Sequence, residues 1–304
     1  MKTIDYKTTF HFLRDDQIRL DEPMKAHTTF RAGGPADCLV TPDTIEEISH
    51  IVSICKNEQI PYFIMGNGSN LLVSDKGYRG LVIQIFKNMS RIQVQGEQLY
   101  VQAGALLSKA AAEAKNASLA GMEFAAGIPG TIGGAVAMNA GAYGGEMKDI
   151  VESVVLLDEA GERYTVAGKD MQFGYRKSLV TTEKFIVAEA VLKLTHGDKE
   201  AIFATMEDLR VRRVTKQPLE YPSAGSTFKR PEGYFAGKLI MDAGLAGYSI
   251  GGAEVSAKHC GFIINKNHAD ASEIYQLICH VQKVVMEQTG VKLEPEVKLL
   301  GDFA

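Results

Sequence analysis

Gly127-Ile-Pro-Gly-Thr-Ile-Gly-Gly-Ala-Val-Ala-Met-Asn-Ala-Gly-Ala-Tyr-Gly-Gly145 places seven glycines in 19 residues, in a chain with 30 glycines among 304. Glycine adopts positive φ without a steric penalty and lets the backbone approach a neighbour or a ligand closely. Successive N–H groups in such a segment form a concave site for an anion, and a dinucleotide pyrophosphate suits it. Tight turns packed against a sheet are the plainer alternative. A second segment, Gly66-Asn67-Gly68-Ser69-Asn70, directly follows the apolar run PYFIM (61–65), where a strand-end loop presents N–H groups and short polar side chains. Neither segment contains GxxxxGK[ST], and neither completes GxGxxG at the start of a helix.

Outward from these loops the pattern is mixed. Residues 44–59 carry Ile45, Ile48, Ile51, Val52 and Cys55 at helical spacing, with Thr44 and Glu47 at the positions of a capping box. PYFIM and GLVIQIF (80–86) read as strands, RIQVQ (91–95) and QLYVQA (98–103) as a hairpin, and LLSKAAAEAKNA (106–117) as a helix. ESVVLLD (152–158) and RYTVA (163–167) predict a second hairpin, followed by the strand FIVAEAVLKL (185–194). After residue 197 the texture changes. Residues 198–217 form an amphipathic helix with a basic end; further helices are predicted over 234–243 and 272–288, and VKLEPEVKLL (291–300) reads as a closing strand. The fold class is therefore α+β, with an N-terminal segment 1–27, one domain over 28–197 and a second, smaller one over 198–304.

The net charge of −4 argues against a nucleic-acid-binding surface. No apolar stretch approaches the ~18 residues of a membrane span, and the first residues lack a signal-peptide core, so a cytoplasmic chain without a membrane partner is expected. The four cysteines, Cys38, Cys55, Cys260 and Cys279, have no CxxC spacing, and no HExxH is present. Free thiols and no metal are expected. His27, His259 and His268 are read as structural.

Six segments come in a telling order: HTTFRAGGPAD (27–37), GNGSNLLVSD (66–75), GIPGTIGGAVAMNAGAYG (127–144), GYRKS (174–178), SAGSTFKRP (223–231) and LEPEV (293–297). In these the chain resembles the UDP-N-acetylenolpyruvoylglucosamine reductase family, over about residues 27–301. The resemblance implies an FAD-binding domain of the vanillyl-alcohol-oxidase (PCMH) type followed by a smaller substrate-binding domain. It also implies noncovalent FAD, NADPH as co-substrate, and reduction of UDP-N-acetylglucosamine-enolpyruvate to UDP-N-acetylmuramate for peptidoglycan. A monomer is the expected state. Carried over residue by residue, the cofactor positions are Gly66, Asn67, Gly68, Ser69, Asn70, Gly127, Ile128, Pro129, Gly130, Thr131, Gly133, Gly134, Asn139, Gly141 and Ala142. Among these, the N–H groups of Gly66 to Asn70, Gly127, Gly133 and Gly134 are expected to offset phosphate charge.

The catalytic residues implied by the resemblance are Arg176, Ser226 and Glu296. Hydride addition to an enolpyruvyl double bond leaves an enolate beside a carboxylate, which needs stabilisation and then a proton. The Arg176 guanidinium suits the first need, the Ser226 hydroxyl the second, and Glu296 could polarise the intermediate or relay protons. On residue type alone Glu294 is an equal candidate for that last role. Lys216, Tyr175 and Arg230 are the expected substrate contacts, within a basic group that also holds Arg212, Arg213 and Lys229. Between Arg176 and the strand at 185 only KSLVTTEK intervenes, where the long form of the family carries an insertion with a substrate-covering tyrosine. The chain resembles the short form. Other readings of the same residues are a flavin oxidase or dehydrogenase for a different small molecule, and a noncatalytic nucleotide-binding protein.

Overall fold

The computed structural model describes residues 4–303. They divide into two compact units, and neither is continuous in sequence. The first runs through Leu20, then Cys38–Asn67 and Gly80–Arg213; the second takes Asp21–Asp37, Gly68–Arg79 and everything from Val214. The sequence boundary at 197/198 differs from this division in two respects. The helix Lys199–Lys216 begins in the first unit, and two early segments belong with the C-terminal residues.

The first unit is built on a five-stranded antiparallel sheet in the order Arg163–Ala167, Val151–Leu157, Ile186–Lys193, Gln98–Gln102, Ile92–Gln95. Both expected hairpins are present, the first closed by the Gln95–Gln98 pair. The central strand Ile186–Lys193 is largely buried, which its β-branched and small apolar residues permit. Beside this sheet, Tyr62–Met65 runs parallel to Leu81–Gln84 of the strand Tyr78–Gln84. The helix Ile45–Asn57 starts at the expected place, with the Thr44 hydroxyl accepting the Glu47 N–H at 3.1 Å, but the other half of the expected capping box does not form, because the Glu47 carboxylate accepts the Asp43 N–H at 2.7 Å instead. The helix buries Ile48, Ile51, Val52 and Cys55. Leu107–Asn116 buries Leu107, Ala110, Ala111 and Ala114 in the same core, which Tyr6, Phe10 and Leu13 from the N-terminal segment complete.

In the second unit an antiparallel sheet of Ser249–Ile250, Ala253–Val255 and Ile263–Asn265 is covered by the helix Ala271–Thr289. That helix has a capping box of Asp270 and Glu273 and ends on Gly290 at φ 71°. Its buried stripe, Ile274, Leu277, Ile278, Val281 and Val285, meets Phe30 and Leu72, which explains why the early segments belong here. Leu71–Val73 pairs in parallel with Lys298–Leu300. The closing strand is thus shorter than the run 291–300: only Lys298–Leu300 is a strand, and Pro295, which lacks an N–H, makes a single bridge to Phe228. The helix expected over 234–243 starts later, at Ala236, because Pro231–Tyr234 turns (Tyr234 N–H to Pro231 C=O, 3.1 Å) and Phe235 is extended. Gly244, at φ 75°, ends it as expected.

Cys38, Cys55 and Cys260 are buried and Cys279 exposed, all as free thiols. Among the described residues no helix is long and apolar enough to cross a membrane.

Candidate active site

In the first unit the loop after strand Tyr62–Met65 meets the glycine-rich segment. The Asn67 side-chain amide donates to the Pro129 carbonyl at 2.7 Å. A Cβ on Gly66 would stand 2.3 Å from Thr131 Oγ1, so only glycine lets the two segments lie this close. Thr131 is buried and caps the short helix Ile132–Ala137. The backbone N–H groups of Asn67, Gly127, Gly130 and Thr131 make no hydrogen bond to any described residue. Those of Gly133 and Gly134 are already used: Gly133 donates to Ala103 C=O at 2.8 Å, and Gly134 donates to Thr131 Oγ1 at 3.4 Å. The expectation that these two N–H groups offset phosphate charge therefore does not hold. What Gly133 supplies is closeness, since its Cβ would lie 3.0 Å from that of Ala103. Ile128 is held by its N–H to the Ala125 C=O.

In the second unit the same loop continues through Gly68, Ser69 and Asn70. Gly68 has φ 62°, and a Cβ there would be 2.0 Å from the His27 carbonyl oxygen. Gly68 C=O accepts the Thr29 N–H at 3.2 Å, tying the loop to the HTTFR segment.

Arg176 lies in the first unit at the tip of a two-residue turn. Gly174 and Lys177 exchange backbone hydrogen bonds at 2.9 and 3.2 Å, and Arg176 occupies the third position with φ 54°, where a type II turn ordinarily takes glycine. An arginine in that conformation is held there by its surroundings. The clamp is Asn139, whose buried side-chain amide donates to Gly174 C=O at 3.2 Å and to Glu146 at 2.6 Å, and whose Oδ1 accepts the Lys148 N–H at 2.9 Å. Ser178 Oγ adds a bond to Ala137 C=O at 2.8 Å. Sequence reading placed Asn139 among the cofactor residues; its side chain is spent on positioning the Arg176 turn. Gly141 and Ala142 pair with Gly145 and Glu146 in a small hairpin beside it. The Arg176 guanidinium sits 5.1 Å from the ring centroid of Tyr175, which is exposed.

Ser226 and Glu296 are brought to neighbouring backbone positions in the second unit. Gly225, at φ 76°, turns the chain into Ser226, which is exposed, while Thr227 and Phe228 are buried. Thr227 donates its N–H to Gly261 C=O at 2.8 Å and accepts the Glu296 N–H at 2.8 Å. Glu296 C=O in turn accepts from the Asn70 side-chain amide at 3.1 Å. The Ser226 hydroxyl makes no hydrogen bond to any described residue. Glu294 pairs with Lys229 at 3.1 Å on the exposed surface. Arg230 stacks on Phe235 at 4.0 Å from the ring centroid and donates from Nε to Tyr234 C=O at 3.3 Å, while Lys216 is exposed at the end of its helix.

One group was missed as a specific site residue. Arg213 lies against Gly127, where a Cβ would be 2.9 Å from its Cδ and 3.0 Å from its Nη1. Burial pushes the guanidinium below its ordinary pKa, partly offset by Tyr143, and no carboxylate among the described residues pairs with it. The signal was present as a helical stripe. Ile202, Met206, Leu209 and Arg213 follow each other at spacings of four, three and four and are the inward positions of that helix.

Two family models match the chain: an FAD binding domain over residues 36–167 and the C-terminal domain of UDP-N-acetylenolpyruvoylglucosamine reductase over 217–300. The reductase of that name from Clostridioides difficile (strain 630) is 50% identical over 297 residues, covering 98% of each chain. The chain belongs to the UDP-N-acetylenolpyruvoylglucosamine reductase family. A crystal structure from this family, of the Thermus caldophilus enzyme, superposes with TM-score 0.80 at 37% identity, covering 93% of this chain and 98% of that one. A variant of Phl p 4, a glucose oxidase, shares the fold alone, with TM-score 0.54 at 18% identity over 64% of this chain and 45% of its own. The architecture is thus that of the reductase family, a PCMH-type FAD-binding domain with a C-terminal reductase domain.

Proposed function

We infer that the chain reduces the enolpyruvyl group of UDP-N-acetyl-3-O-(1-carboxyvinyl)-glucosamine to give UDP-N-acetylmuramate in peptidoglycan synthesis, with FAD as cofactor and NADPH as reductant. The observation that carries this reading is family membership along nearly the whole chain, with both domain types present. The donor set fits the cofactor: the open N–H groups of Asn67, Gly127, Gly130 and Thr131 suit an anion such as a pyrophosphate. When bound, FAD supplies a hydride acceptor for NADPH and a hydride donor for the enolpyruvyl carbon.

The remaining chemistry falls to the side chains. Arg176 provides a permanent cation with a planar donor fork for the substrate carboxylate as it gains enolate character. Its strained turn, braced by Asn139, fixes the guanidinium before substrate arrives, which keeps reorganisation small. Ser226 delivers the proton to the enolate carbon; an exposed hydroxyl on a backbone anchored at Thr227 is suited to that task. Glu296 polarises the intermediate or relays the proton. The resemblance and the Lys229 pairing of Glu294 support Glu296 over its neighbour. Lys216, Tyr175 and Arg230 contact the substrate, with cations for the diphosphate.

The cofactor positions are Gly66 to Asn70, Gly127 to Thr131, Gly133, Gly134, Asn139, Gly141 and Ala142. Residues 28–197 constitute the flavin domain in the functional sense and 198–304 the substrate domain, preceded by the segment 1–27. FAD is held noncovalently, and the enzyme works in the cytoplasm as a monomer with no nucleic-acid or membrane partner. The test is direct: purified protein should be yellow, release FAD on denaturation, and oxidise NADPH in the presence of UDP-N-acetylglucosamine-enolpyruvate. Colourless protein that added FAD does not rescue contradicts the reading.

A further inference from the structure

A non-glycine residue in the left-handed region is strained by its own Cβ, so it marks a place where the surroundings impose the backbone conformation. Four such residues fall in one part of the first unit: Asn139 at φ 42°, Tyr143 at 53°, Gln172 at 50° and Arg176 at 54°. The side chain of the first reaches the turn that carries the last. Gly174 C=O accepts two N–H groups at 3.2 Å, that of Lys177, which closes the turn, and the Asn139 side-chain amide. On the far side of the turn the buried Ser178 is tied through its hydroxyl to Ala137 C=O at 2.8 Å. The backbone on either side of Arg176 is thus anchored to residues 137–139.

The Asn139 amide fits only one way round. Its Oδ1 accepts the Lys148 N–H at 2.9 Å, and its amide protons go to Gly174 C=O and to Glu146 Oε2, the latter at 2.6 Å. A reversed amide would set an oxygen against two acceptors and an NH2 group against a donor. Asn139 is buried, so water does not compensate such a mismatch. Glu146 is the charged member of this set, and an ionised carboxylate only accepts. Its Oε1 pairs with Lys148, the carboxylate also takes the Asp149 N–H, and its backbone pairs with Gly141 in the small hairpin. An exposed pair with Lys148 alone contributes little. The oxygen turned toward Asn139 is the one whose loss leaves a buried donor unsatisfied.

We propose that Glu146 is a positioning residue for the reduction: its carboxylate fixes the Asn139 amide, and through it the Gly174–Lys177 turn and the guanidinium of Arg176. This rests on the reductase reading above, in which Arg176 meets the substrate carboxylate. It adds that the placement of Arg176 depends on an acid 30 residues earlier in the chain, which acts only through that arginine. A charged group misplaced by about 1 Å can cost about 10²-fold in rate, because stabilisation of a developing charge depends on geometry set before the reaction.

The experiment uses full-length holoenzyme reduced with NADPH and mixed anaerobically with UDP-N-acetylglucosamine-enolpyruvate. Flavin reoxidation is followed in wild type, Glu146→Ala and Glu146→Gln, and in each again with Arg176→Ala. Glu146→Ala is expected to slow reoxidation by about 10- to 100-fold, with the rate of reduction by NADPH and the dissociation constant of FAD as in wild type. Glu146→Gln, which keeps an oxygen for the amide, should recover part of the loss. In the Arg176→Ala background, Glu146→Ala should change the rate by less than about twofold, because the group through which it acts is gone. Asn139→Asp, which keeps the size of the side chain and removes the amide protons, should behave as Glu146→Ala does. Unchanged reoxidation in Glu146→Ala overturns the proposal. So does an equal loss with and without Arg176, or a matching loss in NADPH reduction or FAD affinity, which would show a general structural role. Weakened FAD binding in Asn139→Asp would assign the amide to the cofactor and overturn it as well. Reduced wild-type enzyme that the UDP-sugar does not reoxidise overturns the reductase reading itself, before any substitution is made.

Discussion

Glycines at 66 and 68 and glycines at 225 and 233 all lie in loops beside proposed functional groups, yet they are required for different reasons. At Gly66 and Gly68 an added Cβ would collide with Thr131 Oγ1 at 2.3 Å and with the His27 carbonyl oxygen at 2.0 Å. At Gly225 and Gly233 an added Cβ would meet nothing within 4 Å, and only the positive φ, 76° and 74°, calls for glycine. The first pair serves close approach and the second serves chain reversal. Glycine density alone therefore does not mark a ligand site; what distinguishes the loop around residue 66 is the company of unbonded N–H groups near it.

Gly68→Ala should have the largest effect. It combines a left-handed conformation with a backbone clash that no side-chain rotation relieves, so destabilisation of about 3 kcal/mol or more is expected by denaturant unfolding. Gly66→Ala meets a side chain, which can yield in part, and should cost about 1–3 kcal/mol. Adding Thr131→Ala should restore some of that loss, and additivity in the double mutant would break the assigned contact. Gly225→Ala and Gly233→Ala should each cost only about 1–2 kcal/mol, the strain of a non-glycine residue in that conformation. If Gly225→Ala proved as damaging as Gly68→Ala, the distinction between the two regions would fail.

A smaller effect is expected at His259. Burial lowers its pKa below the ordinary 6.5, and its Nδ1 accepts the Gly261 N–H at 3.1 Å, which requires the neutral ring. Since the unfolded chain takes up the proton more readily, stability should be unaffected above the unfolded pKa and decline as pH falls from there toward the lowered folded value. In His259→Asn, which retains an acceptor near that position, the decline between pH 6.5 and 5 should flatten in thermal unfolding. Smallest of all, native protein should titrate about one thiol with Ellman's reagent, at exposed Cys279, since Cys38, Cys55 and Cys260 are buried and burial pushes the Cys55 thiol up to about 12.

Elements decided locally were legible in the sequence. Thr44 marks a helix start, Gly244 a helix end, and Gly96-Glu97 a hairpin, and each stands as expected. Contacts between distant residues were not. Nothing near Leu72 announces that it belongs with Ile274 and Val281; Pro295 in LEPEV does signal a break in the strand, but not that Lys298–Leu300 pairs with Leu71–Val73. The same limit applies to the candidate site. Arg176, Ser226 and Glu296 stand out through their motifs, whereas the Asn139 clamp depends on a hydrogen bond 35 residues away in sequence. Arg213 was visible as one of several basic residues. Its inward position follows from the helical stripe, and the absence of a carboxylate partner among the described residues from the folded chain alone.

The proton step is the most direct measure of the mechanism. Under anaerobic conditions the enzyme is reduced with NADPH and mixed with UDP-N-acetylglucosamine-enolpyruvate, and flavin reoxidation is followed in wild type and Ser226→Ala. Reduction by NADPH should be the same in both, with reoxidation about 10²- to 10⁴-fold slower in the variant. Equal reoxidation rates would contradict the assignment of Ser226 as the proton donor.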